Sequence, residues 1–276
     1  MTRSLSLLSP AKLNLFLHIT GRRSDGYHDL QTLFQLLDWG DDMLFEANDS
    51  GQVTLACEGI EINSDDNLVM QAARLLQQGS LGARIQLRKR IPVGGGLGGG
   101  SSNAATTLLA LNQLWDLKLD RSRLGQLGGF LGADVPVFVG ARTAWAEGIG
   151  EILVPVELPP RWYLILAPAC HVSTAEIFSH RQLTRNTSPI RIAAFFEGHA
   201  RNDCQELVRH LYPEVDKALK ILEKFGAPKL TGTGACVFTD FDTEAQARAA
   251  GKQLPTGWQG IIARGVNESP LEHDLT

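Results

Sequence analysis

Cysteine is scarce in this chain, and the few copies are widely dispersed. The 276 residues include four cysteines, Cys57, Cys170, Cys204 and Cys236, with no C-x-x-C pair among them. This spacing indicates neither a zinc site nor a disulfide framework. We therefore expect the protein to work in a reducing, cytoplasmic setting.

Long apolar runs and an excess of basic charge are also missing. No stretch approaches the ~18 apolar residues of a membrane span, and residues 1–10 do not form the pattern of a signal peptide. The chain has 26 Lys and Arg against 30 Asp and Glu, a net charge of -4. Nucleic-acid binders usually show a basic balance, and the one basic run, residues 88–90, predicts a solvated strand face. We expect neither a membrane nor a nucleic-acid partner.

Glycine, in contrast, is concentrated in residues 92–102, which read PVGGGLGGGSS. The alternation of Ile85, Leu87 and Ile91 predicts a strand before this tract, and a helical pattern follows it, starting at Ser101 or Ser102. Glycine lets a backbone approach a ligand closely, and the free N–H groups of a helix N-terminus attract phosphate. The sequence therefore predicts a phosphate-binding loop, with a flexible linker as the alternative.

Several phosphate-binding classes compete for this tract. Gly94, Gly96 and Gly99 formally match the dinucleotide fingerprint, but the preceding strand alternates, whereas a Rossmann strand is apolar throughout. The residue directly before Ser101 is Gly100 and not the lysine of a P-loop, which excludes the P-loop pattern. The HRD and DFG signatures of protein kinases are absent. A Rossmann-type oxidoreductase remains an alternative.

The second half of the chain has a recognisable order of elements. Residues 162–167, 213–225, 228–231, 236–239, 243–254 and 260–266 predict strand, helix, strand, strand, helix and strand. This order is that of a ferredoxin-like split motif, complicated by a helical insertion near residues 190–196. Prolines cluster at residues 155–160, so we predict two lobes, 1–157 and 158–276.

Three segments resemble the three motifs of the GHMP kinases and occur in the same order as in that family. They are residues 10–15 (PAKLNL), the glycine tract, and residues 230–235 (LTGTGA). The resemblance spans nearly the whole chain. It implies an α+β, two-lobed GHMP kinase fold, with a ribosomal S5 domain 2-like N-terminal lobe, a ferredoxin-like C-terminal lobe and the active site between them. It also implies ATP and Mg²⁺ as cofactors.

Four stretches narrow the resemblance: residues 21–28 (GRRSDGYH), 94–106, 132–138 (GADVPVF) and 230–238. They resemble the family members that phosphorylate the 2-hydroxyl of a methylerythritol linked to cytidine diphosphate. A small-molecule, nucleotide-linked substrate is therefore expected. The alternatives are a homoserine, mevalonate or sugar kinase of the same family and, by fold analogy, a non-catalytic RNA-binding module.

The resemblance implies two catalytic residues. Asp134 would be the general base that takes the proton of the acceptor hydroxyl, although a helix N-cap before Val135-Pro136 explains the same pattern. Lys12 would favour the ionised carboxylate and orient the hydroxyl; on its own it fits a surface lysine equally well.

The resemblance also implies the nucleotide and substrate contacts. The expected ATP-binding residues are Pro92, Val93, Gly94, Gly95, Gly96, Leu97, Gly98, Gly99, Gly100, Ser101, Ser102 and Asn67. Helix capping by Asp66 or Asn67 explains the last of these as well. The expected substrate-binding residues are Asn14, Tyr27, His28, Thr174 and Phe178, the segment at 27–28 reading the cytosine ring and Phe178 stacking on it. A solvated turn and an ordinary helix core are their alternatives. No carboxylate pair indicates the ligands of Mg²⁺; Ser102 and Glu147 are the nearest candidates.

Overall fold

The first lobe is built around a long antiparallel hairpin of β1 and β2. The computed structural model describes residues 3–59 and 67–275. The elements of this lobe are, in order, β1 (Ser4–Arg22), β2 (His28–Asn48), β3 (Val53–Glu58), α1 (Leu68–Leu76), β4 (Gly82–Arg88), α2 (Gly99–Leu114), α3 (Arg121–Gly129), α4 (Val135–Gly140), β5 (Ala144–Glu147) and β6 (Ile152–Pro155).

One face of this sheet buries the apolar side chains of the first helices. β4 lies between β2, its antiparallel neighbour, and β3, its parallel neighbour. Ile85 and Leu87 of β4 pack in the same core as Leu108 and Leu111 of α2, and Phe138 of α4 is fully buried there. The packing therefore holds α2 and α4 side by side, which places the residues before each helix close together.

The second lobe has the split order expected from the sequence. Its elements are β7 (Trp162–Leu166), α5 (Thr174–Ser179), α6 (Ile192–Phe196), α7 (Gln205–Leu211), α8 (Pro213–Leu222), β8 (Lys229–Leu230), β9 (Val237–Phe241), α9 (Glu244–Gly251), β10 (Gly260–Val266) and α10 (Leu271–Asp274). The strands lie in the order β10-β7-β9-β8, the ferredoxin-like arrangement. The insertion contains α5, α6 and α7.

The two lobes share one sheet and exchange chain segments. β10 pairs with β2 through Gly265 and Val266, so the sheet of the second lobe continues into that of the first. Leu271 of α10 is buried in the first core, which means that the end of the chain completes the first lobe. The boundary at 157/158 stays a prediction.

The burial of β1 and the start of α2 both differ from their local sequence patterns. Leu13, Leu15, Leu17 and Ile19 alternate as in a half-buried strand, but β1 is buried on both faces over residues 9–19 because the second lobe and the insertion cover it. The helix after the glycine tract begins at Gly99 rather than Ser101 or Ser102, with Gly98 at its N-cap. No described helix is both long and apolar enough to cross a membrane.

A buried carboxylate, Asp41 of β2, anchors the start of the glycine loop. Its Oδ1 accepts hydrogen bonds from the backbone N–H groups of Arg90 (2.6 Å) and Ile91 (2.8 Å), and its Oδ2 lies 2.5 Å from Lys89 Nζ. Asn103 of α2 also donates to Asp41, at 3.0 Å. The prediction that residues 88–90 form a solvated face was wrong for Lys89, because this buried charge draws its ammonium inward.

We predict that Asp41→Ala lowers the free energy of unfolding by about 3–5 kcal/mol, since it leaves the Lys89 ammonium buried without its counter-charge. Chemical denaturation measures the effect. Asp42→Ala is the matched control, because within the described residues the Asp42 side chain forms only an exposed pair with Arg90, which contributes at most ~1 kcal/mol. Equal losses for the two variants would contradict this account of Asp41.

Candidate active site

Three cavities adjoin one another, and two of them have walls from both lobes. The loop cavity, about 350 Å³, is lined by the glycine tract together with Asn67 and Lys89. The aromatic cavity, about 590 Å³, contains Tyr27, His28 and Phe178. A smaller central cavity of about 170 Å³ shares Gly96 and Gly98 with the first and Asp134 with the second. A ligand in the loop cavity therefore lies next to one in the aromatic cavity.

The glycine tract folds as a loop whose backbone only glycine accommodates well. Gly94, Gly96 and Gly98 all adopt positive φ, between 69° and 75°, a region that other residues rarely enter. The loop leads into the first turn of α2, where no described side chain caps the helix. First-turn N–H groups have no partner within a helix, so Gly99 and Gly100 offer donors at the wall of the loop cavity.

A second glycine turn, residues 231–235, supports the loop from the other lobe. The N–H groups of Ala235 and Cys236 donate to the carbonyls of Gly94 (3.3 Å) and Gly95 (3.1 Å). Thr231 Oγ1 donates to Gly96 O at 3.1 Å. The third motif of the sequence thus lies behind the second, and the second lobe holds the loop in place.

The side chains of Lys12 and Asp134 meet at the central cavity. Lys12 Nζ lies 3.3 Å from Asp134 Oδ2 and donates to Asn14 Oδ1 at 2.6 Å and to Gly96 O at 3.0 Å. Lys12 is only 3% exposed, so the surface-lysine alternative was wrong. Its ammonium joins β1, the glycine loop and the start of α4.

Asp134 stands at the N-cap position of α4, where the sequence pattern before Val135-Pro136 places it, but its side chain does not cap the helix. Its backbone is helical (φ -83°, ψ -12°) and its side chain accepts no cap hydrogen bond. The carboxylate is instead directed to Lys12 and is one-third exposed, lining both the central and the aromatic cavity. It is therefore free to meet a ligand hydroxyl.

Asn14 holds its amide in a fixed orientation beside this pair. Asn14 Nδ2 donates to Thr32 Oγ1 at 3.0 Å. The hydroxyl of Thr32 in turn donates to Phe16 O. Because the Asn14 carbonyl oxygen accepts from Lys12, the amide has no freedom to flip. Asn14 and Thr32 both line the central cavity, where polar groups suit a hydroxylated ligand.

The aromatic cavity has one buried and one exposed wall. His28 is buried, with its ring centroid 5.2 Å from that of Phe178, whereas Tyr27 is 61% exposed. Burial first, and then the positive charges of Arg185 and Arg22, lower the pKa of His28, so the ring is neutral at pH 7. A neutral imidazole beside an aromatic ring suits a planar, uncharged group such as a nucleobase.

Of the remaining candidates from the sequence, Asn67 and Thr174 line the cavities, whereas Ser102 does not. Asn67 lines the loop cavity and also caps α1, accepting from Val69 N at 2.9 Å; Asp66 lies outside the described residues. Thr174 reaches the central cavity and shares a hydrogen bond with Thr233 (2.9 Å). Ser102 is not brought to the cavities: its N–H donates to Gly98 O and its fully buried hydroxyl hydrogen-bonds to Ser9.

Sequence reasoning missed several residues of this site. Lys89 lines the loop cavity, Thr233 lines the central cavity, and Arg185 bonds to His28 (3.0 Å). The basic run at 88–90 and the TGTG turn were visible signals for the first two. Arg185 carried no signal, because it lies in an insertion without a motif.

The described residues offer few ligands for a metal ion. Within residues 3–59 and 67–275, no group of three or more His, Cys, Asp or Glu side chains could hold one. Glu147 is engaged by Gln31 and Trp145, whose hydrogen bonds are the main causes that lower its pKa. Asp134 is the carboxylate that faces the cavities.

Two family models match this chain. The GHMP kinases N terminal domain matches residues 67–141 and the GHMP kinases C terminal model matches residues 182–259. The chain belongs to the GHMP kinase family. Both matches include parts of the site, since the first contains the glycine loop with Asp134 and the second contains Arg185 and the supporting turn.

Individual relatives of this GHMP kinase are similar over its full length. It is 55% identical to 4-diphosphocytidyl-2-C-methyl-D-erythritol kinase of Pseudomonas aeruginosa (strain UCBPP-PA14), over 100% of this chain and 99% of that one. The kinase of the same name from Marinobacter nauticus is 51% identical, over 100% and 99% of the two chains.

Solved structures agree with this fold. A crystal structure of 4-(cytidine 5'-diphospho)-2C-methyl-D-erythritol kinase superposes with a TM-score of 0.81 at 33% identity, covering 95% of this chain and 100% of that one. Methanococcus jannaschii mevalonate kinase, at 16% identity and a TM-score of 0.65 over 97% and 98% of the chains, shares the fold. The expected two-lobed GHMP kinase fold is confirmed, and the Rossmann alternative is wrong.

We predict that Gly96→Ala distorts the glycine loop and raises the KM for ATP at least ~10-fold. A Cβ at this position would lie 2.2 Å from Thr231 O, and the φ of 75° adds strain. Steady-state kinetics measure the change. Gly125→Ala is the control, because a Cβ in that helical position meets open space. An unchanged KM for Gly96→Ala would contradict the close packing of the loop.

Proposed function

We propose that this GHMP kinase transfers the γ-phosphate of ATP to the 2-hydroxyl of 4-diphosphocytidyl-2-C-methyl-D-erythritol, giving the 2-phosphate and ADP. The observation that carries the proposal is the junction of the three cavities at Lys12 and Asp134. The names of the relatives at 50–55% identity support the same acceptor. The reaction belongs to non-mevalonate isoprenoid precursor biosynthesis.

The loop cavity is the proposed site of ATP. The first-turn N–H groups of α2 and the positive end of its helix dipole suit the phosphates, and the φ values of the loop let the backbone approach them closely. Asn67 and the start of the tract, Pro92 and Val93, line the same cavity and are proposed to face the nucleoside. The γ-phosphate would then point to the central cavity.

Asp134 is the proposed general base. Its carboxylate lines the wall shared by the central and aromatic cavities, so an acceptor hydroxyl at the junction would be within its reach. Phosphoryl transfer depends on positioning and charge stabilisation more than on covalent chemistry. The Lys12 ammonium, held by Asn14 and Gly96, supplies a fixed positive charge where the phosphoryl group crosses.

Mg²⁺ is proposed to enter with ATP as part of the substrate. Magnesium commonly takes one or two carboxylates and completes its shell with phosphate oxygens and water. Asp134 faces the cavity junction, whereas Ser102 and Glu147 are engaged elsewhere. A donor set this small fits an ion that the triphosphate brings with it, where it would offset phosphate charge.

The aromatic cavity is the proposed site of the cytosine ring, with His28 and Phe178 as its wall and Tyr27 at its edge. Asn14 and Thr174, at the central cavity, would contact the polyol hydroxyls. This cavity also distinguishes the proposal from a homoserine, mevalonate or sugar kinase, because those acceptors carry no base to fill it.

A reducing cytoplasm remains our proposal for the location of the protein, supported by the buried thiols of Cys204 and Cys236.

The decisive experiment is a coupled assay of ADP release with ATP, Mg²⁺ and 4-diphosphocytidyl-2-C-methyl-D-erythritol. We expect acceptor-dependent turnover that CDP inhibits competitively. Homoserine, mevalonate and galactose serve as alternative acceptors in the same assay. Turnover with one of these, and none with the cytidine compound, would refute the proposed substrate.

We predict that Asp134→Asn lowers kcat at least ~10²-fold, because the amide cannot take the acceptor proton. Rapid-quench measurement of the chemical step and a thermal unfolding curve test this together. Asp116→Asn is the matched control, because Asp116 is exposed and its carboxylate pairs with the equally exposed Lys118. Near-normal turnover by a folded Asp134→Asn enzyme would exclude Asp134 as the base.

A further inference from the structure

A single guanidinium holds the buried wall of the aromatic cavity together. Arg185, in the insertion after α5, donates from Nε to His28 Nε2 at 3.0 Å. Its Nη2 donates to the carbonyls of Phe178 (2.8 Å) and His180 (2.7 Å), and its Nη1 to that of Leu183 (3.1 Å). The side chain therefore connects β2 of the first lobe to the insertion of the second.

The hydrogen bond from Arg185 determines where His28 carries its proton. A guanidinium Nε always bears hydrogen and can only donate, so His28 Nε2 must offer its lone pair. A neutral imidazole then carries its single proton on Nδ1. Burial and the neighbouring positive charges lower the pKa of His28, which keeps the ring in this neutral form at pH 7.

Nδ1 is the ring nitrogen of His28 that Arg185 leaves unoccupied. The His28 ring lines the aromatic cavity, and no residue in the described part of the chain hydrogen-bonds to its Nδ1. Nδ1–H is therefore a donor available to a ligand. Cytosine presents acceptors at N3 and O2, whereas uracil carries hydrogen on N3. The N3–H of uracil and the Nδ1–H of His28 would both be donors, and two donors that face each other leave buried polar groups unsatisfied.

The same guanidinium also fixes the aromatic ring next to His28 in this wall. Arg185 binds the Phe178 carbonyl, and the Phe178 ring lies 5.2 Å from that of His28 at an interplanar angle of 31°. The fork of an arginine can engage the imidazole and the carbonyls of the insertion at once, whereas a lysine ammonium lacks this planar geometry. One residue thus controls both the tautomer of His28 and the position of the stacking ring.

We infer that Arg185 is a positioning residue that holds His28 as the Nδ1-protonated tautomer and so makes the aromatic cavity select cytosine over uracil. The inference rests on the function proposed above, since it assigns the base of the acceptor to this cavity. Arg185 touches the wall of the cavity and acts through His28 and Phe178.

Binding of CDP and UDP, measured by isothermal titration calorimetry, tests the inference. We expect wild-type protein to bind CDP at least ~10-fold more tightly than UDP. In Arg185→Met this ratio should fall close to 1, while kcat at saturating acceptor stays within about threefold and KM rises. Arg181→Met is the matched control, because Arg181 is an exposed arginine of the same segment that donates no hydrogen bond to His28.

A spectroscopic readout keeps the inference testable if Arg185→Met folds poorly. In ¹⁵N-labelled wild-type protein, long-range ¹H–¹⁵N spectra should show His28, assigned by its loss in His28→Gln, as the Nδ1–H tautomer. A His28 protonated on Nε2 would overturn the inference. A CDP preference that survives intact in folded Arg185→Met would also overturn it.

The outcomes separate this inference from the proposed function. If the wild-type protein does not bind CDP at all, the proposed acceptor is wrong and the role of Arg185 falls with it. If CDP binds and cytidine-dependent turnover is normal, but Arg185→Met retains the wild-type ratio, then only the role of Arg185 is wrong.

Discussion

The contact on which the site depends is the buried ammonium of Lys12. A charge that is 3% exposed is stable only when it is paired and hydrogen-bonded, and its three partners come from different parts of the chain. Asn14 belongs to β1, Gly96 to the glycine loop and Asp134 to the start of α4. Satisfying one cation therefore places the proposed base next to the glycine loop.

A second buried charge, the carboxylate of Asp41, holds the glycine loop in position. Asp41 binds the backbone at Arg90 and Ile91, at the start of the loop, while Asn103 links it to α2 at the loop's other end. The loop is thus held at both ends from the first lobe and from behind by residues 231–236 of the second. Glycine supplies the positive φ values, and these contacts remove the flexibility that glycine would otherwise bring.

Much of the fold could be predicted from the sequence because its signals are local. The glycine tract, the alternation of residues 85–91 and the split order of the second half each lie within a few tens of residues, and the structure confirms these elements. The start of α2 was placed two or three residues late because serine is a better N-cap than glycine, and here the loop geometry at Gly98 overrides that preference.

The site was predictable only where a motif carried it. Resemblance to the family indicated Lys12 and Asp134, although burial and pairing could be seen only in three dimensions. Lys89 was assigned to a solvated face because its partner Asp41 lies 48 residues away. Arg185 meets His28 across 157 residues, a contact that no local pattern encodes, and it comes from an insertion whose sequence has no recognisable period.

The position of α10 has a consequence for synthesis of the chain. Leu271 fills part of the first core, and β10 pairs with β2 at Gly265 and Val266. Until residues 265–271 have left the ribosome, the N-terminal hairpin and its helices lack this side chain and this neighbouring strand. The half of the chain that is synthesised first therefore becomes fully enclosed only after the second lobe has been made, and its core keeps an apolar gap until then.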